Sequence, residues 1–455
     1  MARTFSQQRD TAQRDTAHAG TAHAGTAHAG TALALTELAA MDRALELARR
    51  GPAHGPNPRV GCVLLAPLPP GAPHAASRAN GADSVDGANR TASGGATGAT
   101  SPTGADSADS ADSANGAGSA RTVLAEGWHL GAGTPHAEAA ALAGARAAGV
   151  DVRGATAVVT LEPCNHTGRT GPCAGALIDA GVTRVVVAVL DPDPVAAGGA
   201  AQLRAAGAQV RVGVRAAEAR DLLRVWLAAV ERRRPFVTVK FATSLDGRAA
   251  AADGSSRWIT SEPARRHAHD LRAEVDAIVV GAGTVLADDP SLTARNAAGE
   301  LTGHQPLRVV VGHREVPAGA RLRGPGGELV HLRTHDVHEV LARLREREVR
   351  HLLVEGGPTL AAAFLRAGVV DEIHVYVAPV LLGAGPPAVA DLGITSIGDA
   401  LRFVPREPVP LGADLLIVAT PATPATPATP ATPATPATPA TPAATSEEND
   451  VHRNH

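Results

Sequence analysis

The chain has 455 residues, room for two or three domains, and a formal net charge of −3 at pH 7. That balance gives no broad electrostatic pull toward nucleic acid or an anionic membrane, and no uncharged apolar run is long enough for a membrane span. Three cysteines without paired spacing argue against a secreted disulfide framework, and the polar N-terminus lacks the apolar core of a signal peptide, so a reducing cytoplasm is expected.

Residues 1–32 carry AHAGT three times over; such a segment cannot bury enough apolar surface to fold and is expected to be a disordered tail. A first domain is expected over 33–218. Its opening stretch, LTELAAMDRALELARR, has apolar residues at helical spacing, with Gly51 as the stop. GPNPRVGCVLLA follows, a stiff turn and then a strand. Asn57 lies between two prolines there and is either a plain turn residue or a hydrogen-bonding group for a substrate ring. Cys62, inside the apolar run, reads as a buried core thiol. Residues 67–120 hold ADSADSADS and almost no large apolar side chain, which predicts a disordered insertion at a hairpin tip. The domain is then split in sequence and whole in space. His129, after the second strand TVLAEGWHL, reads as structural rather than as a metal ligand.

The polar core of the chain is TPHAEAA at 134–140 and TLEPCNHTGRTGPC at 160–173. His136, Cys164 and Cys173 form a zinc triad in this reading, and Glu138 is the catalytic proton carrier rather than a fourth ligand. Zinc deaminases are built this way: one His and two Cys hold the metal, water takes the open position, and a nearby Glu moves protons. Pro135 and Pro163 each precede a ligand and a small-residue run, which predicts helix starts pointing both ligands into one pocket. A structural zinc site would show four protein ligands. The strands ATAVVTLEPC, TRVVVAVLDPDP and AQVRVGV alternate with helical runs, an α/β layer with a mixed or mostly parallel sheet.

Residues 219–235 read as a connector with a helix, AEARDLLRVWLAAVERRRP running into it. A second α/β domain is expected over 236–418: the strand PFVTVKFATS, a helix over 262–274, a strand over 275–280, further strands in LRVVV, ELVHL, HLLVEGG and EIHVYVAPVLL, and helices over 337–348 and 359–368. Lys240 is the chain's one lysine. VEGGPTLAAAF is a strand, a Gly pair and a helix start whose free N–H groups could hold a phosphate, or a plain strand-to-helix turn. The PAT repeats of 419–455 favour a solvated, polyproline-like disordered tail.

Taken together, HAE, TLEPCNHTGRTGPC, KFATSLDG, SRWIT, GAGTVLADDPSLTAR and VEGGPTL resemble the bifunctional riboflavin-biosynthesis deaminase/reductase family across both domains, all but the biased segments. The resemblance implies a cytidine-deaminase-like three-layer domain followed by a dihydrofolate-reductase-like α/β domain. It also implies Zn2+ and NADPH as cofactors, and a small phosphorylated pyrimidine, 2,5-diamino-6-(5-phosphoribosylamino)pyrimidin-4(3H)-one, that is deaminated and then reduced from ribosyl to ribityl. Thr243, Trp258, Thr284, Asp288, Gly357, Pro358 and Thr359 would contact the cofactor. Asn57 and Arg169 would contact the substrate in the deaminase, and Ser256, Arg272, Leu292, Arg295 and Glu355 in the reductase. A homodimer through the reductase domain is implied as well. Three positions depart from the family pattern: TGPC for TPPC, Asp193 in DPDP, and Gly312-His313 where Asp-Ser is usual.

Two other enzyme readings compete, a free-base or nucleoside deaminase fused to a folate-type reductase and a nucleic-acid editor; a non-catalytic zinc scaffold is the third rival. Arginines suited to phosphate, the neutral charge and Glu138 beside a three-ligand site weigh against them in turn.

Overall fold

The computed structural model describes residues 25–27, 34–68, 119–166 and 171–422. Most of the expected tails and of the 67–120 insertion lies outside these residues, as does Arg169.

The first half is built on one mixed sheet. Its elements in chain order are β1 (Gly25–Ala27), β2 (Ala34–Leu35), α1 (Glu37–Arg49), β3 (Gly61–Leu65), β4 (Arg121–Trp128), α2 (Ala137–Ala147), β5 (Thr156–Leu161), α3 (Cys173–Asp179), β6 (Arg184–Val189), α4 (Gly199–Ala205), β7 (Gln209–Val212) and α5 (Ala216–Glu231). The strand order is β1-β4-β3-β5-β6-β7, with β2 also on β4. Strands β3, β4 and β5 pair antiparallel, whereas β5, β6 and β7 run parallel. The hairpin β3–β4 closes across the interrupted segment, with Leu65 opposite Val123.

Two differences from the sequence reading have physical causes. The helix expected from Leu33 starts at Glu37, because the Thr36 hydroxyl accepts the Ala39 N–H at 3.2 Å and caps it, while Ala34–Leu35 pairs with β4. Gly25–Ala27, inside the expected tail, adds an antiparallel strand to the other end of β4.

Two cores flank the sheet, which makes the half three-layered. Met41, Leu45 and Leu47 of α1 pack with Leu223 and Leu227 of α5 over one face. Ala141 of α2, Leu177 of α3 and Leu203 of α4 cover the other, with Cys62 fully buried among them. Each large side chain so buried contributes roughly 1.5–3 kcal/mol. Helix α5, read as part of a connector, is thus a core element of the first half.

The second half carries β8 (Phe236–Ser244), α6 (Glu262–Glu274), β9 (Ala277–Gly281), α7 (Ala282–Asp288), β10 (Leu307–Val311), β11 (Leu329–Leu332), α8 (Val337–Glu346), β12 (His351–Val354), α9 (Pro358–Arg366), β13 (Glu372–Ala378), β14 (Phe403–Pro405), β15 (Val409–Leu411) and β16 (Asp414–Pro421). The sheet order is β11-β10-β9-β12-β8-β13-β16-β14. It is parallel from β11 to β13 and antiparallel beyond. Near-continuous apolar strands such as AIVVG and HLLV are what burial on both faces demands.

Charged pairs tie the halves where α5 meets the second sheet. Arg224 pairs with the buried Glu372 at 3.0 Å, and Arg234 grips Asp371 through two bonds of 2.7 and 2.9 Å.

Candidate active sites

The structure brings the zinc triad together. The His136 Nδ1 atom lies 3.5 Å from Cys164 Sγ and 3.4 Å from Cys173 Sγ, and the three donor atoms fall within 4.8 Å of one another. Among the described residues this is the one cluster of three or more His, Cys, Asp or Glu side chains so placed. Two soft thiolates and an imidazole are a zinc donor set, and three protein ligands leave a position open; the residues present therefore fit the metal. His136 is the N-cap of α2 and Cys173 is the first residue of α3. Cys164 does not open a helix as expected. It sits in the loop after β5, held by Asn165 N–H donating to the Ala196 carbonyl at 2.9 Å, and the helix is delayed until after Pro172.

Two close approaches fix the pocket. A Cβ on Gly127 would meet the Ala137 carbonyl at 2.3 Å, so the start of α2 rests directly on β4. A Cβ on Gly199 would meet the Pro163 carbonyl at 1.8 Å, so α4 abuts the cysteine loop. Glu162 braces the same corner: its carboxylate accepts Asp191 N–H at 3.1 Å and Ala200 N–H at 2.8 Å. Asp193 takes the Val195 N–H at 3.0 Å and turns its own N–H to Asp191, a turn-closing role for the DPDP departure.

Glu138 is buried beside the triad, and that burial raises its carboxyl to about 7. The Cys164 thiol is pulled down to about 4, first by a hydrogen bond from Cys173 and then by His136; that same hydrogen bond, and then burial, hold Cys173 up. A bound cation would deprotonate both.

The opposite wall is Asn57. Its Nδ2 lies 2.9 Å from His129 Nε2, and His129 Nδ1 lies 3.0 Å from the Pro135 carbonyl. A carbonyl can only accept, so Nδ1 carries the proton and Nε2 accepts from the Asn57 amide. His129 is thereby a buried link between Asn57 and the residue before the first metal ligand, with its ring 5.4 Å from that of His136. Its place after a strand carries no signal of this link in the sequence.

The second half holds a cavity of ≈ 1330 Å³, lined from the carboxyl ends of β8, β9, β10 and β12, where ligands sit in open α/β sheets. Of the residues expected to contact cofactor, Trp258, Thr284, Asp288, Gly357, Pro358 and Thr359 line it, and of those expected to contact substrate, Ser256, Arg272, Arg295 and Glu355 do so. Thr243 and Leu292 do not; both are buried, the first bonded to the Ser244 carbonyl at 3.0 Å and the second packed in the core at a positive φ of 50°.

Glu355 organises the cavity floor. It receives Arg272 through bonds of 2.8 and 2.7 Å and the Lys240 ammonium at 3.4 Å, and these cations hold its carboxyl down to about 2 despite burial. Arg272 therefore spends its fork on Glu355 instead of standing free for phosphate. Arg295 keeps one nitrogen uncommitted, its others bonding Thr293 and Gly299. Gly357 N-caps α9 and anchors its own N–H on the Thr284 hydroxyl at 3.1 Å. At the far side Gly312 has a φ of +119°, a conformation that disfavours the usual Asp, and His313 meets His335 edge-on at 4.8 Å. Arg314 lies so close over Gly283 that a Cβ there would meet its guanidinium at 2.7 Å. The cavity's size, a helix N-terminus and these cations fit a phosphorylated dinucleotide.

Comparison with known proteins matches the same two halves. Residues 36–189 match the cytidine and deoxycytidylate deaminase zinc-binding region, and residues 235–416 match the RibD C-terminal domain. The riboflavin biosynthesis protein RibD of Mycobacterium tuberculosis is 54% identical over 287 residues, covering 63% of this chain and 83% of that protein. The chain belongs to the RibD family. The Escherichia coli member is 40% identical over 330 residues, covering 65% of this chain and 89% of that protein. A Thermotoga maritima diaminohydroxyphosphoribosylaminopyrimidine deaminase/5-amino-6-(5-phosphoribosylamino)uracil reductase superposes with a TM-score of 0.66 at 29% identity, covering 85% of this chain and 98% of its own. Acinetobacter baumannii RibD gives the same TM-score at 33% identity, covering 85% and 99%. The chain is accordingly a bifunctional enzyme of riboflavin biosynthesis, a deaminase in its first half and a reductase in its second, with zinc and NADPH as cofactors and a small pyrimidine as substrate. No helix among the described residues is long and apolar enough to cross a membrane.

Proposed function

We propose that the substrate is 2,5-diamino-6-(5-phosphoribosylamino)pyrimidin-4(3H)-one, deaminated at the first site and then reduced from ribosyl to ribityl at the second. The observation that carries this reading is Glu138, buried beside two thiols and an imidazole that converge on one point.

His136, Cys164 and Cys173 would hold zinc, which when bound would make a water nucleophilic near neutral pH. Glu138 takes that water's proton and returns it to the ring nitrogen and the departing amine. Burial strengthens its hold on that proton. Asn57 Nδ2 is committed to His129, which leaves its carbonyl oxygen to accept from the pyrimidine. Arg169 is assigned to the same substrate by resemblance. Arg295 and Ser256 grip the substrate in the second cavity, Glu355 fixes Arg272 and Lys240 around it, and the residues Gly357, Pro358 and Thr359 present the α9 N-terminus to the cofactor phosphates. NADPH supplies the hydride; the protein's task is to align it with the sugar carbon. A first domain that runs through α5, a second from β8 through β16, a homodimer through the reductase half and a cytoplasmic setting belong to the same proposal.

Replacing Glu138 by Gln tests it. Ammonia release should fall about 10³-fold with the zinc content unchanged. A fall of less than about tenfold would remove Glu138 from proton transfer.

A further inference from the structure

The loop over 51–58, which carries Asn57, belongs to the deaminase half by sequence, yet much of its outer side rests on the reductase half. Gly55 N–H donates to Asp276 Oδ1 at 2.5 Å. The other oxygen of that carboxylate accepts from Arg350 N–H and His351 N–H, each at 2.8 Å, so Asp276 is itself fixed at the start of β12. The ring of His54 stacks on that of His304 at 3.5 Å and 5°. His304 is in turn anchored by its Nε2 on the Val275 carbonyl at 2.9 Å. Gly55 has a φ of +97° with open space where a Cβ would stand, and the next carbonyl, that of Pro56, accepts from Trp226 Nε1 of α5 at 3.0 Å and from Arg350 Nε of the reductase half at 3.4 Å, so the two halves hold the loop together.

Inward, the loop leads straight to the metal site: Asn57 donates to His129, and His129 donates to the Pro135 carbonyl next to His136. We infer that Asp276 and His304 of the reductase half are positioning residues for the deaminase, holding the loop so that Asn57 meets the pyrimidine ring. The inference rests on the substrate contact proposed for Asn57. Its physical basis is that a binding group displaced by about 1 Å can cost up to 10²-fold, and that a loop with a left-handed glycine at its apex and two prolines around Asn57 moves as one piece. Deamination is then tuned by a surface of the partner domain that touches neither substrate nor metal.

The test uses the full-length zinc enzyme and four variants, Asn57→Ala, Asp276→Ala, His304→Ala and His304→Phe. Deaminase kcat and KM are read with the diaminopyrimidine, and reductase kcat and KM with the deaminated pyrimidine. Expected is a rise of about tenfold or more in deaminase KM for Asn57→Ala. Asp276→Ala and His304→Ala should raise it about three- to tenfold, with kcat within twofold and both reductase constants unchanged. His304→Phe keeps a stacking ring but loses the anchor on the Val275 carbonyl, so its KM should fall between those of wild type and His304→Ala. If Asn57→Ala raises KM and both alanine variants at 276 and 304 leave it unchanged, the positioning role is overturned and the Asn57 contact stands. If Asn57→Ala leaves KM unchanged, the contact falls and the inference with it. Parallel losses in both activities for the 276 and 304 variants would assign these residues to folding alone and equally overturn it.

Discussion

The two active sites are built on opposite plans. The deaminase centre is small and buried: three ligands and a glutamate from two short stretches, converging within 4.8 Å for the donor atoms. The reductase site is a cavity of ≈ 1330 Å³ assembled from the ends of four strands and the loops between them, with most of its lining serving as shape. The difference teaches where chemistry resides. In the first half the protein supplies the ligands and the proton carrier, so single residues are decisive. In the second the cofactor supplies the hydride, so binding energy is shared among many groups and single residues matter less.

The sharpest way to break that contrast is at the metal. Replacing Cys164 or Cys173 by Ser, or stripping the ion with a chelator, should abolish zinc binding and bring deamination to background. Reduction of the deaminated pyrimidine should continue, as followed by NADPH absorbance alongside metal analysis. Next in size is Glu355→Gln, which leaves Arg272 and Lys240 without their carboxylate. A partly buried cation stripped of its partner should cost about 3 kcal/mol in urea unfolding, with the deaminase constants unchanged.

A smaller effect concerns His351, fully buried, with burial first and Arg224 second lowering its pKa from 6.5 to about 3. The folded chain refuses a proton that the unfolded chain accepts below pH 6.5. Stability is therefore lost as pH falls from 6.5 toward 3, at up to about 1.4 kcal/mol per pH unit. Unfolding at pH 7.5 and 5.5 should show His351→Gln losing about 1 kcal/mol less than wild type. Smallest of all should be Trp258→Ala. This ring is exposed at the cavity mouth, with the Arg265 guanidinium 4.7 Å from its centre. An exposed cation–π pair is worth about 0.5–1 kcal/mol, so the NADPH KM should rise only about two- to fivefold.

The same contrast explains what could be read from the sequence. His136, Glu138, Cys164 and Cys173 stand out because metal chemistry admits few residue types and fixes their spacing. The helix at 262–274 and the strands around 277–281 and 351–354 were legible from apolar periodicity. The start of α1 turns on a single hydrogen bond to Thr36, and the start of α3 at Cys173 follows Pro172 as N-cap with no side-chain bond; periodicity encodes neither. Helix α5 was seen as a helix, but its apolar face gave no sign that its partner was the first core. Arg272 looked like a phosphate clamp because residue type shows what a side chain can bind; only the fold shows that Glu355 already holds it. Contacts between distant segments, such as Gly55 on Asp276, have no local pattern at all.

The most direct test of the account gives Glu138→Gln two substrates in turn and follows NADPH oxidation. With the diaminopyrimidine ribosylamino phosphate, wild type should release ammonia and oxidise NADPH, and the variant should do neither. With the deaminated pyrimidine, both should oxidise NADPH at the same rate. That result places deamination before reduction, at two separate sites. Oxidation of NADPH by the variant with the diaminopyrimidine, or no ammonia from zinc-loaded wild type, would contradict it.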